Sequence, residues 1–147
     1  MAISLKCQYG LRAMLELAAR ENQGLIRLTE IAAAQNIPAR FLENILNQMR
    51  QGGFISSRRG KDGGFVLERE ARDVRIGEII RFFEGALHPL EAPTNSDGEY
   101  HRGDFVFNQL WRDAEKALLQ VYNQKTLRDL LEEENHAQAG AVDSYCI

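Results

Sequence analysis

Apolar residues recur along the first half of the chain at the three- and four-residue spacing of helices with one buried face. Leu11, Met14, Leu15 and Ala18 mark a helix over about 6–20, ended by Gln23-Gly24. Thr29 is placed to cap a short helix over 30–35, and Asn36 supplies a turn. Pro38 suits the first position of the next helix, where its missing N–H costs nothing. Leu42, Ile45, Leu46 and Met49 form that helix's stripe over 39–51, and Gly52-Gly53 stops it. The period then changes. Residues 54–57 and 65–67 are short runs rich in β-forming side chains, with Arg58-Arg59-Gly60-Lys61-Asp62-Gly63-Gly64 between them. They predict a hairpin with a basic, glycine-rich tip. A fourth helix over about 75–84 buries Ile76, Ile79, Ile80 and Phe83, and Gly85 ends it.

Residues 86–103 hold two of the three prolines and several polar residues, and are long for a connection inside a compact domain. From about 104 the helical period returns, with Phe107, Leu110, Trp111, Ala114, Leu118 and Val121 on one face. Thr126 is expected to cap a last short helix carrying Leu127, Leu130 and Leu131, and the tail from Asn135 to be loose. The pattern predicts a mostly α fold with a small β-hairpin: a winged helix-turn-helix plus a long dimerisation helix. The expected layout is a DNA-binding unit over 1–85, a connecting loop over 86–103, a helical dimerisation arm over 104–134 and a flexible tail over 135–147.

Composition changes this picture little. Of 147 residues, 44% are hydrophobic and 27% charged, a globular balance. No stretch approaches the roughly 18 apolar residues of a membrane span, and the N-terminus lacks the features of a secretory signal. A cytoplasmic protein without a membrane partner is expected. The two cysteines, Cys7 and Cys146, stand at opposite ends without metal-ligand spacing, which excludes a disulfide scaffold.

Charge changes it more. The net −3 hides an asymmetry: residues 1–75 carry 12 Lys/Arg against 8 Asp/Glu, and residues 76–147 carry 6 against 13. Within 40–61 the ratio is five basic residues to one acidic. Phosphate attraction acts over about a Debye length, so the local patch outweighs the total. The stripe of the 39–51 helix leaves Arg40, Glu43, Asn44, Asn47 and Gln48 outward. Those side chains can read base edges in a major groove that admits one helix. Arg58, Arg59 and Lys61 at a thin tip suit the narrow, negative minor groove. Each feature also has a plainer reading, as a solvated helix face or a soluble turn. The tip lacks the Gly-Lys-Ser/Thr ending of a phosphate-binding loop. No nucleophile, paired-carboxylate or cofactor pattern points to an enzyme.

The run Lys6-Cys7-Gln8-Tyr9-Gly10-Leu11-Arg12-Ala13-Met14-Leu15, then Leu28-Thr29-Glu30-Ile31-Ala32, Phe41-Leu42-Glu43 and Arg59-Gly60 through Gly63-Gly64-Phe65, closely resembles the Rrf-type bacterial transcriptional regulators, the family of IscR, NsrR and CymR. Leu110-Trp111-Arg112-Asp113 and Thr126-Leu127-Arg128-Asp129-Leu130 are similar to its dimerisation-arm motifs, so the resemblance covers nearly the whole chain. It implies a homodimer with crossed long helices on a near-palindromic operator of double-stranded DNA. It further implies Arg59 in the minor groove, with Arg40, Phe41, Glu43 and Asn44 near major-groove bases. The dimer contact would involve Phe107, Leu110, Trp111, Ala114 and Leu118.

One departure matters. Several members hold an iron–sulfur cluster through three cysteines in the segment that here spans 86–104, and this chain has none there. Cluster irons need thiolates, so no cofactor is expected, and the resemblance to the cluster-free, CymR-like members implies a regulatory protein or a small-molecule effector as the signal. Two other readings stay open. One is an interaction module of the same fold that has lost DNA binding. The other is a redox or metal sensor using Cys7 or the pair His88 and His101.

Overall fold

The computed structural model describes residues 3–85 and 101–145. Helix α1 is Leu5–Ala19, α2 is Leu28–Gln35 and α3 is Ala39–Gln51. Strands β1, Ile55–Arg58, and β2, Gly64–Leu67, pair antiparallel with Ile55 opposite Leu67 and Arg58 opposite Gly64. A short 3-10 turn over Ala71–Asp73 leads into α4, Ile76–Glu84. Helices α5, Asp104–Asn123, and α6, Leu127–Tyr145, complete the described chain. Three helices followed by a hairpin make a winged helix-turn-helix, so the expected fold class holds.

The core explains the periodicity. Met14 and Leu17 of α1, Ile31 of α2, Leu42, Leu46 and Met49 of α3, and Ile79 of α4 are each at most 2% exposed. Fully burying such a side chain contributes about 1.5–3 kcal/mol. Phe83, expected in this core, is only partly buried: its ring lies over Gly10 and under the Lys6 ammonium, 5.6 Å from the ring centre.

Boundaries differ where capping chemistry differs. Thr29 does not cap α2; Arg27 holds that position, and the Glu30 carboxylate accepts the Arg27 N–H at 3.0 Å. A side chain from the third helical residue thus satisfies one of the free amides at the helix start. Pro38 is the cap of α3 rather than its first residue. Thr126 and Asp129 do form the expected cap, with the Thr126 hydroxyl accepting from the Asp129 N–H and the Asp129 carboxylate from the Thr126 N–H.

Two features depart from the hydrophobic pattern. The stretch from Asn135 is not a loose coil: α6 runs on through it to Tyr145, exposed from Glu132 to Ala141. The start of α6 also belongs to the core of the first unit, with Leu127 1% and Leu131 8% exposed. The Leu127 N–H donates to the Val74 carbonyl and the Ile76 N–H to the Lys125 carbonyl, at 2.9 and 3.0 Å. Glu21 joins the same junction, accepting the Ala71 N–H at 2.7 Å and the Arg128 guanidinium. No described helix is long and apolar enough to cross a membrane.

Candidate nucleic-acid interface

The two-helix element is set by a tight turn. Asn36 adopts the left-handed conformation (φ 49°, ψ 50°), which asparagine tolerates better than most residues. The Ile37 N–H returns to the Ala32 carbonyl at 3.0 Å, and α3 starts at Ala39. With its apolar stripe buried, α3 presents Arg40, Phe41, Glu43 and Asn44 as exposed and Asn47 and Gln48 as half-buried. Phe41 is 63% exposed, which is unusual for so large an apolar ring and is not explained by the core.

The hairpin stands beside this face. Gly53, at φ 75°, takes the chain off the end of α3 into β1. At the tip Gly60 sits at φ 110° and its carbonyl accepts the Gly63 N–H at 3.0 Å. A Cβ at Gly63 would stand 2.2 Å from the Arg58 carbonyl oxygen, so the loop closes this tightly only with glycine there. Between α3 and the hairpin lies a cleft of about 300 Å³. It brings together Glu43, Asn47, Arg58 and Arg59 from the expected set, and adds Arg50 and Ser57, which the residue pattern did not single out. Arg50 carried a usable signal, since it is exposed and lies close to one helical turn beyond Asn47. Lys61 and Gln48 do not line the cleft.

The cations of this face lie close together and stand without internal partners among the described residues. Arg40, Arg58, Arg59 and Lys61 are exposed, and among the described residues none of their side chains has an ion-pair or hydrogen-bond partner. Several arginines elsewhere are engaged, Arg20 with Glu16 at 2.7 Å, Arg69 with Glu78 at 2.7 Å and Arg128 with Glu21, though not all of them. The face can therefore take an extended polyanion without first breaking internal pairs. Elsewhere, Phe107, Leu110 and Trp111 of α5 are 56%, 54% and 40% exposed, and Ala114 is exposed too; Leu118 is half-buried. The rings of Phe107 and Trp111 stack at 6.4 Å. Within the described chain Phe107, Leu110, Trp111 and Ala114 of this stripe stay exposed.

A family model described as "Iron-dependent Transcriptional regulator", Rrf2, matches residues 3–133. This chain belongs to the Rrf2 family. It is 34% identical over 130 residues to the HTH-type transcriptional regulator CymR of Bacillus subtilis strain 168, covering 88% of this chain and 89% of that one. Among solved structures, T. potens IscR matches with a TM-score of 0.77 at 32% identity, over 94% of this chain and 91% of that one. The B. subtilis CymR structure matches with a TM-score of 0.74 at 34% identity, over 90% and 98%. Like these relatives, the chain is a DNA-binding transcriptional regulator of the winged-helix type and not an enzyme.

The iron of the family description finds poor ligands here. Cys7 is fully buried, and burial, then the neighbouring Glu84 carboxylate, push its thiol up to about 12. A thiol so placed is almost wholly protonated at neutral pH, whereas metal ligation and redox attack need the thiolate. The same burial disfavours redox attack at Cys7. Among the described residues no three His, Cys, Asp or Glu side chains gather as a metal site. His88 and Cys146 lie outside the described residues, and with them the pairing of His88 with His101.

Proposed function

We propose that this Rrf2-family regulator acts as a homodimer on a near-palindromic operator, as a repressor, without an iron–sulfur cluster. The observation that carries the reading is the set of unneutralised cations, Arg58, Arg59 and Lys61, on a thin hairpin beside the polar face of α3. Helix α3 enters the major groove. There Arg40 pairs with guanine, Asn44 and Asn47 bond adenine, Gln48 does so near the end of the helix, and Glu43 accepts from cytosine N4. Phe41 offers its exposed ring to a thymine methyl. The hairpin tip follows the adjacent minor groove, with Arg59 inserted where negative potential is highest. Two copies joined through Phe107, Leu110, Trp111, Ala114 and Leu118 present two α3 helices to half-sites about 34 Å apart. The signal is a partner protein or a small effector.

The test is a salt-controlled gel shift on DNA upstream of the protein's own gene, comparing Arg59→Ala with Arg69→Ala. Arg69 is tied to Glu78 and to the Asp73 carbonyl, away from the cleft. Losing a groove-inserted arginine costs about 1–3 kcal/mol, so Arg59→Ala should bind about fivefold or more weakly while Arg69→Ala stays near the parent. Equal affinities for the two variants would overturn the assignment of the wing.

A further inference from the structure

The hairpin does not stand free. The segment between α1 and α2 pairs with it: the Ile26 N–H donates to the Phe65 carbonyl at 2.9 Å, and the Phe65 N–H to the Ile26 carbonyl at 2.8 Å. Just beyond that bridge, the Arg27 guanidinium donates to the backbone carbonyl of Lys61, at the hairpin tip, at 3.1 Å. Arg27 is itself fixed from the other side. Its N–H is held by the Glu30 carboxylate, whose second oxygen accepts from Arg20, the residue at the end of α1, at 3.4 Å. A relay of polar contacts therefore runs from α1 through the start of α2 to the tip, where nothing else among the described residues holds the side of Lys61.

We infer that Arg27 is a positioning residue: it latches the wing tip to the first helix of the helix-turn-helix and so aims Arg59 before DNA arrives. The inference rests on the reading that the wing enters DNA. A hairpin tip with Gly60, Gly63 and Gly64 is costly to order, and an exposed loop samples many orientations. Ordering it in advance moves that cost from the binding step to folding, which raises affinity without a new contact to the ligand. Arginine is well suited to such a latch, because its guanidinium stays charged at any physiological pH and offers several donors in a rigid fork.

The alternative for an exposed arginine near this face is a direct phosphate contact, and the two roles separate experimentally. Arg27 is exposed and its backbone N–H, not its side chain, is what Glu30 holds, so Arg27→Ala folds with α2 still capped. Two measurements are made on the full chain. The first is trypsin cleavage of the free protein after Arg58, Arg59 and Lys61, with products identified by mass. Releasing the latch should speed cleavage there several-fold, because the open tip becomes more populated; an unchanged rate overturns the latch. The second is affinity for a duplex selected by the parent protein from a randomised pool. Arg27→Ala should bind about three- to tenfold more weakly, the scale of one hydrogen bond. Its dependence on salt should be unaltered, and Arg27→Ala with Arg59→Ala should bind no more weakly than Arg59→Ala alone. Additive losses together with a log–log salt slope reduced by about one would make Arg27 a phosphate contact and overturn the inference. If Arg59→Ala binds like the parent, it is the wing-to-groove reading that fails, and the cleavage rates still decide the latch.

Discussion

Substituting Gly64 by alanine probes the bridge that joins the wing to the body. A Cβ at this position would stand 2.6 Å from the Ile26 carbonyl oxygen, 2.8 Å from its carbon and 3.0 Å from its nitrogen. All three atoms are backbone, so no change of rotamer relieves the contact, and the chain at 26 must back away from β2. The two hydrogen bonds between Ile26 and Phe65, at 2.9 and 2.8 Å, lengthen or open when it does. Each is worth about 0.5–1.5 kcal/mol net, and forced overpacking generally costs about 1–3 kcal/mol. Alanine returns about 0.4–1 kcal/mol by restricting the unfolded chain. The opened bonds are part of the overpacking cost and not an addition to it, so the balance is a loss of about 1–2 kcal/mol. Urea unfolding followed by circular dichroism reads it as a lowered midpoint with an unchanged slope. Gly140→Ala is the matched control: nothing lies within 4 Å of a Cβ there, in an exposed helix, and the change should stabilise by up to about 1 kcal/mol. A Gly64→Ala protein as stable as its parent would refute the close approach, and with it the idea that the wing is braced from this side.

Three further outcomes follow from the structure. Light scattering of the parent at micromolar concentration should give twice the 16.7 kDa chain mass, and Trp111→Asp, on the uncovered stripe of α5, should shift it toward that single-chain mass; a monomeric parent removes the dimer. Native protein treated with iodoacetamide at pH 7.5 should leave Cys7 unmodified until unfolded, because a thiol held up to about 12 is protonated and inert throughout the neutral range; rapid labelling of the Cys7 peptide contradicts this. Protein purified without oxygen should be colourless, lack stoichiometric iron and sulfide, and bind operator DNA; a brown protein that loses colour on oxidation would show a cluster that the cysteines do not foretell.

Much of this arrangement is readable from residue order because burial leaves a periodic trace. The stripe of Leu42, Ile45, Leu46 and Met49 defines α3, and therefore its outward face, since a helix with one buried side has only one side left. Gly53, at φ 75°, and Gly60 in the basic tip, at φ 110°, mark the hairpin for a similar reason: few residues other than glycine tolerate those turns. What escapes has no period to show. Ile26 makes a single bridge, too short for alternation to reveal, and only the folded chain brings it opposite Phe65. Arg27 gives no sign of its place because a helix cap is sought as an oxygen-bearing side chain, whereas here the acceptor arrives from Glu30. Residues 132–141 of α6 are exposed, so their Ala- and Glu-rich composition carries helix propensity without a stripe, and the pattern reads as a loose tail. The cleft residues Arg50 and Ser57 sit beside the expected ones in space but belong to two different elements.

The seam where α5 gives way to α6 has a consequence for how DNA can be measured by this protein. Asn123 lies against Gly77, the Arg75 guanidinium donates to the Asn123 carbonyl at 2.7 Å, and Leu127 is sunk into the same core that supports α3. For two chains joined through α5, these contacts tie the end of that helix directly to the core carrying the reading helix. Such a dimer behaves as a calliper with a welded hinge. One base pair inserted between the half-sites adds about 3.4 Å and about a tenth of a turn, and the calliper cannot open or swivel to follow it. Its sites in a genome should then vary in their letters while the gap between the halves stays constant.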